Sequence, residues 1–206
     1  METNQSNSAE IIAVIGSTGS GKGVFIKNYC GLKKEKRLLM WDYMREMHPF
    51  ADVVTDRLEV ALRELKNPRF RVAFRPSFDD ATRKKQFDVF CMAAVHAGNM
   101  RLLVEELSFV TMPSWAPSGW KTVTSVGRHR GMRVLAASQR PAQVDKAFWS
   151  NCTEIQCGLM NYDEDQKTMA RALKVPVDEI EALVELQFIH KNTRTKEIKR
   201  GFVKVP

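Results

Sequence analysis

Residues 16 to 23 read Gly16-Ser17-Thr18-Gly19-Ser20-Gly21-Lys22-Gly23. They fit the pattern Gly-x-x-x-x-Gly-Lys, with Gly16, Gly21 and Lys22 in register. A chain that curls around a phosphate needs backbone conformations closed to most side chains, and glycine allows them. Successive N–H groups, from Gly16 through Val24, then point at phosphate oxygens where a helix begins. Lys22 adds a mobile cation for the terminal phosphates. The flanks agree: Ile11 to Ile15 is a short apolar run, and Lys22 to Tyr29 is amphipathic. Strand, glycine loop and helix in that order is the setting in which this pattern binds a nucleotide. One position departs from it. After the lysine the pattern wants a Ser or Thr hydroxyl for Mg²⁺, and this chain has Gly23.

The elements that follow alternate. Leu38 to Trp41 is a second apolar run, ending at Asp42. Helical spacing over 56–66 precedes a third run, Phe70 to Phe74, and residues 79–97 form a long helix with Phe87, Phe90, Cys91 and Ala94 on one face. Leu102 to Val104 is a fourth strand, residues 111–119 a proline-bearing loop, 120–130 a helix, and Met132 to Ala137 a fifth strand. Helices are expected at 143–150, 163–173 and 176–183, with a strand at 152–159 and a closing pair of strands at 185–190 and 197–205. Short apolar runs alternating with helices predict an α/β fold with a mostly parallel sheet, helices on both faces and antiparallel edge strands at the C-terminus. Residues 1–9 read as a flexible polar tail and 10–206 as a single domain.

Two acids, Glu105 and Glu106, end the fourth strand. Adjacent side chains at a strand end diverge, so one can face a metal while the other faces a nucleophile. Without the glycine loop the pair would read as a solvated acidic turn. With it, Glu105 is the candidate Mg²⁺ holder and Glu106 the group that polarises an attacking water. Gln139, just past the fifth strand, is a neutral amide suited to sensing a terminal phosphate; alone it reads as a turn residue before Pro141. Arg128 and Arg130 precede that strand and are candidate fingers for a neighbouring subunit's nucleotide, or a plain basic face.

The chain has 206 residues, with 32 Lys plus Arg against 24 Asp plus Glu, a formal net charge of +8 that favours an anionic partner, nucleic acid first. The hydrophobic share of 44% and charged share of 27% exclude a disordered or fibrous class. No apolar run is long enough to span a membrane, and no secretory signal is read. The four cysteines form no Cys-x-x-Cys pair and the four histidines are scattered, so no zinc site is expected.

Taken together, Gly-Ser-Thr-Gly-Ser-Gly-Lys-Gly, the strand ending in Asp42, the pair Glu105–Glu106, and Gly127 to Pro141 (GRHRGMRVLAASQRP) resemble the FtsK–HerA ATPases. The last segment is the most specific, with Ser138-Gln139-Arg140-Pro141 closing its strand. In size the chain is similar to the short, genome-packaging members from viruses with an internal membrane. The resemblance implies a RecA-like P-loop NTPase that hydrolyses ATP with Mg²⁺ and translocates double-stranded DNA. It implies a homo-oligomeric ring, expected to be a hexamer, at a capsid vertex with a portal or membrane protein as partner, in the host cytoplasm or on the virion. It gives Lys22 the phosphate, Glu105 and Glu106 metal and catalysis, Gln139 the sensor, and Arg128 or Arg130 the trans arginine. Lys84, Lys85 and Lys121 are candidate DNA contacts. Two rivals stand beside this reading: a DNA-associated assembly protein that uses nucleotide only as a structural ligand, and a small-molecule P-loop kinase.

Overall fold

The computed structural model describes residues 10–29 and 31–205. The tail expected at 1–9 lies outside the described residues. The chain runs β1 (Glu10–Ile15), α1 (Lys22–Tyr29), β2 (Arg37–Trp41), β3 (Val53–Thr55), α2 (Leu58–Glu64), β4 (Phe70–Phe74), α3 (Asp80–Ala97) and β5 (Arg101–Val104). It continues with α4 (Ser118–Val126), β6 (Arg133–Ser138), α5 (Lys146–Asn151), β7 (Glu154–Gly158), α6 (Asp163–Leu173), α7 (Val177–Glu181), β8 (Gln187–Asn192) and β9 (Ile198–Phe202).

The strands form one sheet in the order β3-β4-β2-β5-β6-β1-β7-β8-β9. From β3 through β7 all pairings are parallel; β8 and β9 add antiparallel to that edge. The central strands are apolar throughout because both sheet faces are covered. In β1 the period-two alternation sorts Ile11, Ala13 and Ile15 to one face and Ile12 and Val14 to the other. The first face is buried under α2 to α7 and holds the aromatic centre, where Trp41 meets Phe87 at 4.9 Å and Phe90 at 5.2 Å. Each such buried ring contributes about 1.5–3 kcal/mol. The second face is covered by α1 and two single turns, with Phe25, Ile26, Leu32 and Phe50 packed on it.

Several elements differ from expectation for local reasons. The three-residue strand β3 is too short to show an alternation in sequence. The helix expected over 120–130 stops at Val126, and Gly127 to Arg130 form a tighter turn ended by Gly131 at φ 67°. The helix expected from 143 starts at Lys146, because Asp145 caps it by accepting from Phe148 N at 2.9 Å. Trp120 of α4 is fully buried and donates to Asp145 at 3.1 Å, whereas Trp115 of the preceding proline-bearing loop is 41% exposed.

Candidate nucleotide site

The carboxyl ends of β1, β5 and β6 lie side by side, because Ile15 pairs with Ser138 and Val104 with Ala136. Ligands of open α/β sheets bind at this edge. The glycine loop leaves β1 here and is pinned at its base: Gly16 N donates to Ser138 O at 3.2 Å and Ser17 N to Leu159 O at 2.8 Å. A Cβ on Gly16 would meet Ser20 Oγ at 2.3 Å, so the loop closes only around a glycine. Gly21 turns at φ 81°, in the left-handed region that side chains avoid. The first helical bond of α1 runs from Phe25 N to Gly21 O at 2.9 Å. The amides of Lys22, Gly23 and Val24 therefore have no helical acceptor and remain for an anion.

The loop opens into a cleft of about 310 Å³. Lys22, Glu46, Glu105, Glu106 and Gln139 are among its walls. Glu105 is buried, and its Oε2 has no hydrogen-bond donor among the described residues. Burial, then the neighbouring Asp42 carboxyl and Glu46, push Glu105 up to about 8, with Lys22 opposing. Asp42 is fully buried after β2; its Oδ1 accepts from Met47 N at 3.0 Å, and Arg75 Nε stands 3.6 Å from its Oδ2. Two buried acids sharing one neighbourhood and short of donors are a place where a divalent cation is welcome. The space at Gly23 is open as well: a Cβ there would meet nothing within 4 Å. The donor set fits Mg²⁺ held through Glu105, phosphate oxygens and water. No cluster of three His, Cys, Asp or Glu capable of holding a metal by itself is present among the described residues.

Glu106 stands at φ 54°, outside the strand conformation, and its Oε1 accepts from Ser108 Oγ at 2.8 Å, Ser138 Oγ at 2.9 Å and Gln139 N at 2.9 Å. Gln139 Oε1 in turn accepts from Thr18 Oγ1 of the glycine loop at 3.5 Å. The loop, both acids and the glutamine thus surround one cleft. Asp42 and Ser138 belong to the same constellation; the sequence marked both as strand ends that carry the resemblance, but gave neither a role in the site.

The other candidates lie elsewhere. Arg128 and Arg130 precede β6, six residues long, so they sit about 20 Å from the cleft at the opposite end of the sheet. Arg130 donates to the carbonyls of Val95 at 3.1 Å and His96 at 2.7 Å, while exposed Arg128 donates to His129 at 3.1 Å. Neither reaches a nucleotide bound by its own chain. Arg140 is held by Asp165 at 2.8 Å and lies over the Tyr162 ring. Lys85 and Lys121 are exposed on the adjacent helices α3 and α4, and Lys84 pairs with Asp80 at 2.8 Å. No described helix is long and apolar enough to cross a membrane.

No family model matches the chain. Among curated proteins it is 30% identical over 182 residues to Protein P9 of Pseudoalteromonas phage PM2, covering 82% of this chain and 78% of that protein. Among solved structures it is similar to the genome packaging NTPase B204 of Sulfolobus turreted icosahedral virus 2 in complex with AMPPCP. The TM-score is 0.75 at 14% identity, over 95% of this chain and 98% of that one. The pCW3 conjugation coupling protein TcpA aligns with a TM-score of 0.59 at 15% identity, over 96% of this chain and 60% of that one. The chain belongs to the family of Protein P9 of phage PM2, and it has the fold of the genome packaging NTPase B204.

Proposed function

We propose that this chain is an ATPase that translocates double-stranded DNA, packaging a viral genome into a preformed capsid. The observation that carries the reading is the convergence of the glycine loop, Glu105, Glu106 and Gln139 on one cleft. Lys22 and the amides of residues 16–24 bind the phosphates of ATP. Glu105 and water hold Mg²⁺, which when bound neutralises charge on the phosphate oxygens. Glu106 takes a proton from the attacking water through the carboxylate oxygen not engaged by Ser138. Gln139 contacts the terminal phosphate, and its link to Thr18 registers the loss of that phosphate after hydrolysis.

Residues 10–206 act as one ATPase domain in a homo-oligomeric ring, a hexamer by resemblance. Arg128 or Arg130, at the far end of the sheet from their own cleft, serves a neighbouring subunit's nucleotide. Lys84, Lys85 and Lys121 line the ring's DNA path and grip phosphates without reading sequence. The net charge of +8 supports that partner. The assembled ring works in the host cytoplasm or at the virion's packaging vertex, against a portal or membrane protein.

The test is steady-state phosphate release from Mg²⁺-ATP with and without long double-stranded DNA, with Glu106→Gln as the control. DNA-stimulated release that the substitution abolishes is the expected result. Gly23, which lacks the metal-binding hydroxyl, favours a second reading: an assembly protein clamped by nucleotide. Tight nucleotide and DNA binding without stimulated release would establish that reading instead.

A further inference from the structure

On the face of the sheet away from α1, a second cavity of about 330 Å³ opens between α5, α6 and the loop before α4. It shares no wall residue with the nucleotide cleft. Helical spacing builds its sides. Lys146 and Trp149 lie three apart on α5, and Thr168, Arg171 and Ala172 lie three and four apart on α6, so each set shares one helix face. Pro113 and Pro141 complete the wall, and neither brings a backbone N–H. The lining is therefore mainly apolar, with the Trp149 indole packed partly into the core, 5.3 Å from the Phe148 ring.

Two cations stand at this apolar cavity without a counter-charge. Lys146 and Arg171 are exposed and form no ion pair among the described residues. The acids at the head of α6 are engaged elsewhere: Asp165 with Arg140 at 2.8 Å, and Glu164 with Lys167 at 3.5 Å. Lys146 is moreover the first residue of its helix, where a positive charge opposes the dipole. Local helix stability therefore does not account for it.

The apolar surface continues outside the cavity. Met112 and Trp115 bond each other's main chains at 2.7 and 3.0 Å, which folds Pro113 and Ser114 into a tight turn. Pro113 O accepts from Lys146 N at 3.3 Å and fastens that turn to α5. Met112 is 47% exposed and Trp115 41%. A small metabolite would need the cavity alone. A cavity with room for one large side chain, an apolar shoulder beside it and two unpaired cations fits a polypeptide.

We propose that this cavity docks an acidic segment of a partner protein, with one aromatic or leucine side chain inserted and flanking carboxylates on Lys146 and Arg171. The proposal deepens the packaging reading above by giving its capsid-vertex partner a chemistry, and it rests on that reading only for who the partner is. The place has a consequence for turnover. Pro141 and Ala142 follow Gln139 in the chain, and buried Asp165 of α6 holds their turn through Arg140 and through Ala142 N at 2.9 Å. A segment seated between that turn and α6 braces the backbone that carries Gln139.

Selection from a phage library of random twelve-residue peptides on the immobilised full chain tests it, followed by polarisation titrations of the enriched peptides. Enriched sequences should share an aromatic residue or leucine flanked by Asp or Glu. Arg171→Glu reverses a charge at the protein surface, and Thr168→Trp fills the cavity from α6. Each should weaken those peptides about 10-fold or more, with an unchanged circular dichroism spectrum reporting an intact fold. Enriched peptides without acidic residues, or peptides that bind both variants as tightly as the unsubstituted chain, overturn the proposal. So does a library that enriches nothing. Displacement of the peptides by oligothymidylate assigns the cavity to single-stranded nucleic acid instead. These titrations need neither nucleotide nor duplex DNA, so their outcome is separate from that of the phosphate-release test of the motor reading.

Discussion

Ser138 Oγ donates to Glu106 Oε1 at 2.9 Å, tying the acid after β5 to the last residue of β6. The same oxygen takes two further donors, Ser108 Oγ and Gln139 N, while the Ser138 hydroxyl also accepts from Arg140 N at 3.1 Å. A glutamate in the left-handed region costs on the order of 1 kcal/mol and persists only where its surroundings hold it. The three donors do so. Ser138→Ala should therefore lower phosphate release about 10-fold and leave ATP affinity unchanged, because the glutamate stays present but swings. Parallel turnover and binding measurements decide it, and a loss of affinity equal to the loss of rate would contradict the assignment.

Gly23 is the second prediction. A side chain there enters open space, and serine is better than glycine in a helix by about 0.5 kcal/mol. Gly23→Ser should raise the melting temperature slightly. It should also tighten Mg²⁺ in the nucleotide complex, because it restores the hydroxyl that the motif ordinarily supplies. Mg²⁺ titration at fixed ATP reads the second effect directly.

Glu105 makes stability depend on pH. Its carboxyl is held near 8 by burial and Asp42, against an ordinary value of 4.5, so the folded chain keeps a proton that the unfolded chain loses. Without metal, stability should fall as pH rises from about 4.5 to about 8, since the folded state binds more protons across that window. Glu105→Gln should flatten the melting temperature over the same range. Mg²⁺-ATP binding at pH 7 should release a proton, seen as a dependence of binding heat on buffer ionisation enthalpy.

The two arginines before β6 should separate. Arg130 bonds two main-chain carbonyls at the end of α3, so Arg130→Ala should cost about 1 kcal/mol of stability. Exposed Arg128 makes no such bond to the main chain among the described residues. Arg128→Ala should keep the melting temperature and lose turnover only in the assembled ring. Thermal melts together with turnover measured against protein concentration distinguish them.

Much of this arrangement was legible in the sequence because it is local. The glycine loop, the strand ends at Asp42 and Glu105, and the helix over 163–173 each declare themselves within a few residues. What was not legible depends on the sheet order. Nothing near Asp42 says that it lies against Glu105, since they share a site only because β2 and β5 are neighbours. Nor does Arg101 foretell its ion pairs with Glu10 and Glu35, which join the amino ends of separated segments. The β8–β9 ribbon beside the loop was expected as edge strands, but its contact with Gly21 is purely tertiary.

The place of β1 has a kinetic consequence. It is flanked by β6 and β7, and the bonds between Ile11 and Thr153 join residues 142 apart in the chain. During synthesis the loop-bearing strand must wait, unpaired and apolar, until most of the sheet has been made. Such long-range pairing slows folding and exposes the chain to aggregation meanwhile. A nascent chain lacking β6 and β7 has a phosphate-loop sequence but no phosphate loop. Competence to bind nucleotide therefore arrives late, at nearly the moment the domain is complete.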